Sequence, residues 1–80
     1  MNKVEILTKV RTIISENIGI DVNEVQLNSH FINDLGCDSL LLAELIMILE
    51  DKFGLRITDL EAEKLQTVGN IVDYVFDKSN

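Results

Sequence analysis

Apolar residues Leu7, Val10, Ile14 and Ile18 recur at three- and four-residue spacing, which predicts an amphipathic helix over 3–18. Gly19 marks its end, because glycine accepts the left-handed conformation that closes many helices. Residues 19–37 show no sustained period. They read as a long connection packed down by Val22, Val25, Leu27, Phe31, Ile32 and Leu35, and loops of this length in a compact domain are often functional. The clearest helical pattern runs from Ser39 to Phe53, where Leu42, Leu45, Ile46, Leu49 and Phe53 share one face and Gly54 follows as a stop. Thr58-Asp59-Leu60-Glu61 has the form of a capping box and opens a short helix over 59–65. Thr67 caps a last helix whose buried stripe is Val68, Ile71, Val72, Val75 and Phe76. The one β-like stretch, Leu55-Arg56-Ile57, is too short to build a sheet. The pattern predicts an all-α four-helix bundle, with three longer helices, one short helix and a long first loop, as a single domain over 1–80.

The helix over 39–53 has a second face. Leu40, Ala43, Glu44, Met47, Glu50 and Asp51 project away from the core stripe, with Leu41 and Ile48 on a flank. From Leu40 to Leu49 the only polar residue is Glu44. A helix apolar nearly all round is either buried or binds something, and a bundle of 80 residues cannot easily surround one of its own helices. Two readings stand at this point. One is a docking surface, rimmed by carboxylates, for a partner with a hydrophobic spot inside a basic patch. The other is deeper burial or a dimer seam.

Composition narrows the function. The net charge is −7, with seven basic against 14 acidic residues. That argues against nucleic acid, whose phosphates need Lys and Arg to neutralise them. The acidity is uneven: residues 21–40 carry Asp21, Glu24, Asp34 and Asp38 with no base, whereas Lys3, Lys9 and Arg11 sit in the first helix. One Cys cannot form an intramolecular disulfide, and one Cys with one His cannot close a zinc site of four ligands. Met1 to Glu5 begin no apolar stretch, so no secretory signal is expected. No apolar run approaches the roughly 20 residues of a membrane span. A lone thiol without an export signal fits the reducing cytoplasm.

The candidate chemistry lies in Asp34-Leu35-Gly36-Cys37-Asp38-Ser39-Leu40, where a serine falls at the start of a predicted helix after a long loop. On residue type alone, Asp38 or Ser39 is a helix cap. The alternative is that Ser39 is an exposed hydroxyl for modification, since a phosphate there would face free backbone N–H groups and the positive end of the helix dipole.

That run resembles the Asp-Leu-Gly-x-Asp-Ser-Leu signature of acyl carrier proteins. The similarity continues through Val25, Phe31, Glu44-Leu45, Met47, Leu49-Glu50, Phe53, Glu61-Ala62-Glu63-Lys64, Thr67-Val68 and Asp73-Tyr74, covering nearly the whole chain. It implies an acyl-carrier-like bundle that is not itself an enzyme. In this family Ser39 would be esterified with 4′-phosphopantetheine taken from coenzyme A by a holo-acyl-carrier synthase, with Asp38 helping that synthase place its metal ion. The arm's thiol would hold a growing acyl chain as a thioester during fatty acid biosynthesis. Leu40, Leu41, Glu44, Met47, Ile48, Glu50 and Asp51 would meet basic patches on fatty acid synthase enzymes. Leu49, Ile57 and Ile71 would line the acyl-chain pocket. The carrier would be a cytoplasmic monomer.

Some positions depart from the family pattern. Leu41 stands where many fatty-acid carriers have an acid, Ile48 replaces a small residue, Thr58 stands where Pro is frequent, and Cys37 often corresponds to Ala. The docking face is therefore greasier than usual. A carrier for a polyketide or other specialised acyl pathway is an alternative, as is an interaction subunit that never bears an arm. Cys37 reads as a small filler residue. The alternative is a thiol that traps the arm as a mixed disulfide.

Two rival constellations fail. Asp21-Val22-Asn23-Glu24-Val25-Gln26 begins like a calcium loop, but Gln26 stands where Gly is needed and Ile32 where Glu is needed. His30 with Cys37 or Ser39 lacks an orienting third group and an oxyanion hole, so it reads as a structural or solvated loop histidine.

Overall fold

The computed structural model describes residues 1–79. Its helices are α1 (Lys3–Ile18), α2 (Ser39–Phe53), α3 (Asp59–Glu63) and α4 (Val68–Ser79), with one 3₁₀ turn at Val22–Glu24 in the first loop. The bounds of α1 and α2 agree with those read from the sequence. Asn2 caps α1 through its side chain to the Glu5 N–H, and Gly19 and Gly54 close α1 and α2 at φ 82° and 63°, a region a β-carbon disfavours. α1 packs against both α2 and α4, so the core is the space the three long helices share.

Three sequence readings need correction. The buried arc of α1 is Ile6, Val10, Ile13 and Ile14, while Leu7 and Ile18 are half-buried. A helix gripped from two sides buries a wider arc, and the Leu7–Ile18 stripe is one edge of it. In the first loop, Val25, Phe31 and Leu35 are buried as expected, but Val22, Leu27 and Ile32 are exposed. Those three are held by the main chain instead. The Val22 carbonyl accepts the Arg11 guanidinium at 2.9 and 3.2 Å, and the Leu27 carbonyl accepts the Gly69 N–H at 2.8 Å. The Ile32 N–H donates to His30 Nδ1 at 3.2 Å. Finally, α3 stops at Glu63, because Leu65 turns inward to join the core through a tight Leu65 N–H to Ala62 carbonyl bond.

The loop is strapped to the start of α4. Val68 N–H donates to the Ser29 carbonyl at 3.1 Å and Phe31 N–H to the Gln66 carbonyl at 3.0 Å, around a single antiparallel bridge between His30 and Thr67. A β-carbon on Gly69 would lie 3.0 Å from the Leu27 carbonyl oxygen, so only glycine lets the strap close this tightly. Thr67 caps α4 as expected: its Oγ accepts the Asn70 N–H, and Asn70 Oδ1 accepts the N–H groups of Gln66 and Thr67. Val68, Ile71, Val72 and Val75 are buried, and Phe76 is half-buried with the Lys3 ammonium over its ring. No helix among the described residues is long and apolar enough to cross a membrane.

Candidate functional site

The end of the first loop is built to present the start of α2. Phe31 is fully buried and its carbonyl accepts the Cys37 N–H at 2.9 Å. Between them, His30 and Asp34 brace a turn. His30 N–H donates to Asp34 Oδ2 at 2.7 Å, and His30 Nδ1 accepts the N–H groups of Ile32 and Asn33. The acceptor role at Nδ1 puts the ring hydrogen on Nε2. His30 is thus a turn brace, consistent with a structural histidine. Phe31, Leu35 and Cys37 point inward, while Asp38, Ser39 and Leu40 point out to solvent.

The two capping candidates divide their roles. Asp38 is the cap: it is extended at φ −95°, and its Oδ1 accepts the Leu41 N–H at 2.8 Å. Ser39 is therefore the first residue of the helix proper, exposed, and no hydrogen bond engages its hydroxyl among the described residues. A phosphoester at this oxygen would meet the open N-terminal turn of a 15-residue helix, whose dipole favours negative charge. The residues present fit such a group: an unencumbered hydroxyl, no side chain packed over it, and a cap that does not depend on it.

Cys37 is 3% exposed, and burial first, then the charge of Asp38, pushes its thiol above the usual range. A neutral buried thiol is a poor nucleophile, and a place in the core suits a small filler residue. Folded protein at mildly alkaline pH should resist iodoacetamide and become alkylated only on unfolding. Rapid alkylation of the folded chain would contradict this.

Of the residues assigned to a partner face, Leu40 is 70% and Met47 66% exposed, and Glu44 and Asp51 are exposed. Leu41 and Ile48 are half-buried on the flank. The face of α2 is thus an exposed surface, not a deeply buried one. Glu50 is half-buried, and its Oε2 accepts the Ile57 N–H at 2.7 Å. That bond ties its carboxylate to the segment after α2. Leu60, 74% exposed in the first turn of α3, is apolar surface the sequence reading passed over. Its only signal was a capping-box position that points outward in so short a helix.

Leu49, Ile57 and Ile71 all lie in the closed core. Two surface grooves lie elsewhere, one along Leu7, Arg11 and Val25–Asn28, the other along Thr8, Lys9, Thr12, Ile13, Glu16 and Lys52. Cargo among those three residues would require core side chains to part. Among the described residues, no three His, Cys, Asp or Glu side chains are grouped to hold a metal ion.

Residues 8–75 match the family described as the phosphopantetheine attachment site. The chain is 46% identical over 80 residues to an acyl carrier protein of Cyanidium caldarium, covering all of this chain and 93% of that protein. It is 47% identical over 70 residues to an acyl carrier protein of Clostridium acetobutylicum, covering 88% of this chain and 91% of that one.

Proposed function

The chain belongs to the phosphopantetheine-attachment family of acyl carrier proteins, and from that premise we propose that it carries growing acyl chains on Ser39 during fatty acid biosynthesis. The observation that carries the Ser39 assignment is the division of roles at the start of α2, where Asp38 caps and the Ser39 hydroxyl is left unengaged. The whole chain, 1–80, acts as one carrier domain, a monomer in the cytoplasm, and performs no catalysis of its own.

On a holo-acyl-carrier synthase, Ser39 Oγ would bond to the pantetheine-side phosphorus of coenzyme A as the phosphoanhydride bond breaks, adenosine 3′,5′-bisphosphate leaving and the serine proton passing to a base of the synthase or to solvent. Asp38 keeps one carboxylate oxygen in the cap and offers the other toward that synthase's metal ion. The helix N-terminus favours the charge of the new diester. When attached, 4′-phosphopantetheine supplies a thiol that holds acyl groups as thioesters. The chain's contribution is tethering, which raises the effective concentration of cargo at each enzyme it meets.

Leu40 and Met47 enter apolar recesses on successive partners, with Glu44 and Asp51 meeting basic residues at the rim and Leu41 and Ile48 widening the apolar contact. Charge steers the encounter, and a small contact keeps release fast. Met47→Lys should lower partner turnover by about 30-fold, the factor of a contact worth about 2 kcal/mol. The unfolding midpoint should hold, because Met47 is mostly exposed. A large fall in that midpoint would place Met47 in the core and refute the docking face.

Leu41 and Ile48 favour a second reading, a carrier for a specialised acyl pathway, because they dilute the acidity that fatty-acid enzymes usually meet. Offering the holo-form to fatty acid synthase enzymes and to acyl ligases of specialised pathways separates the two. Elongation by the former is expected; loading only by the latter would overturn the fatty-acid assignment.

A further inference from the structure

One residue of the first loop accepts four consecutive backbone N–H groups. His30 Nδ1 receives those of Ile32 and Asn33 at 3.2 Å each, and the His30 carbonyl receives those of Asp34 and Leu35 at 2.9 and 3.1 Å. In return, Asp34 Oδ2 accepts the His30 N–H at 2.7 Å. This is the reciprocity of a capping box, carried by an imidazole and closing a turn in place of a helix. Backbone N–H groups must find acceptors, so the shape of residues 32–35 follows from where these four find theirs. Two of the four depend on a side-chain atom.

Both ends of the turn are fastened. His30 stands in the antiparallel bridge to Thr67, and next to it the Phe31 N–H donates to the Gln66 carbonyl. At the far end Gly36, at φ 72°, turns the chain back so that the Cys37 N–H reaches the Phe31 carbonyl at 2.9 Å. Ser39 lies two residues beyond Cys37. The body of α2 is held separately, by Leu45, Ile46 and Leu49 in the core. A slack turn would therefore shift the first residues of α2 and leave the face that carries Glu44 and Met47 where it is.

We propose that His30 is a positioning residue for loading at Ser39. By receiving the N–H groups of Ile32 and Asn33, its Nδ1 holds the turn in the shape that delivers Asp38 and Ser39 to the synthase in register. His30 makes no bond to Ser39 and acts through the main chain between them. Transfer needs the serine oxygen in line with the phosphorus, and a misplacement of about 1 Å can cost about 100-fold in rate. A carbon in place of Nδ1 would strand two N–H groups, and the turn would relax to offer them to water. The role needs an acceptor at that atom, not an imidazole as such. It rests on the carrier reading above; the brace itself does not.

His30→Ala and His30→Asn in the full chain test it, with loading from coenzyme A by a holo-acyl-carrier synthase followed by intact mass. Assays run below the unfolding midpoint of each variant. Asn sets its Oδ1 where Nδ1 stands, so it keeps the acceptor. His30→Ala should lower kcat by about tenfold, as a displacement of less than 1 Å would. Its KM should stay within about twofold, because the docking face is intact, and His30→Asn should restore kcat to within about twofold of the parent. Equal kcat in all three chains, equal losses in both variants, or a loss confined to KM would overturn the proposal. Nitrogen magnetic resonance of the parent's ring at neutral pH gives a reading free of loading. A bare Nδ1 with the proton on Nε2 is expected, and a proton on Nδ1 would overturn the brace. Should His30→Ala not fold, a bare Nδ1 together with normal loading of His30→Asn upholds the proposal, and any other combination overturns it. A parent chain that does not load would sink the carrier reading and this role with it, while the ring spectrum would still stand. A parent that loads beside an unimpaired His30→Ala overturns this proposal alone.

Discussion

Ser39→Ala is expected to abolish loading: incubated with coenzyme A and a holo-acyl-carrier synthase, the natural chain gains the mass of one phosphopantetheine and the variant gains none. The variant should also fold as well as the parent. Ser39 is exposed, its hydroxyl makes no bond among the described residues, and the cap belongs to Asp38. Exposed substitutions of this kind usually change stability by less than about 0.5 kcal/mol. Asp38→Ala makes the contrast. It should cost about 1 kcal/mol through the lost cap. If the two variants exchanged these behaviours, with Ser39→Ala destabilising and still loading, the assignment of roles at the start of α2 would be wrong.

Phe31→Ala is expected to be the most damaging single truncation in the first loop, lowering the unfolding free energy by about 3–5 kcal/mol. Phe31 is fully buried and is the largest side chain the loop contributes to the core. Its backbone is engaged on both sides, the N–H by Gln66 and the carbonyl by Cys37. Total stability for a chain of 80 residues is about 4–12 kcal/mol, so this one loss removes a large share of it. The loop that delivers Ser39 would lose its anchor at the same time. Leu27→Ala and Ile32→Ala, at exposed positions of the same loop, should each stay within about 0.5 kcal/mol. Urea unfolding of the three variants checks the ranking. Equal losses at all three would mean that the loop is held by side chains throughout.

The long helices α1 and α2 were legible because each carried both a period and punctuation. α1 and α2 had apolar residues at helical spacing and a glycine at the end, and their observed bounds agree with the reading. The capping box at Thr58 and Glu61 was legible for the same reason: two side chains at fixed spacing satisfy each other's backbone groups. The first loop was legible only in part. Hydrophobicity reports what a side chain prefers, and Val22, Leu27 and Ile32 are fixed instead by carbonyl and N–H groups that every residue possesses. Glu50 and Tyr74 were obscure for a related reason. Their partners, the Ile57 N–H and the Arg56 carbonyl, are main-chain groups on another element, which no side-chain pattern can reveal.

At the candidate site the residue types posed a choice the sequence could not make. Asp38 and Ser39 are both good caps, and only the fold assigns the cap to one and frees the other. The second face of α2 was similar. Its apolar character was evident, but exposure at Leu40 and Met47 required knowing that α1 packs on the other side.

The most direct test of the account is the intact mass of the protein purified from its own cells, followed by fragmentation to locate any added group. The account predicts a chain heavier than its sequence by one phosphopantetheine, with a fraction heavier still by an acyl group, and fragments that place the arm on Ser39. Bare chain throughout, or an arm on any other residue, would contradict it.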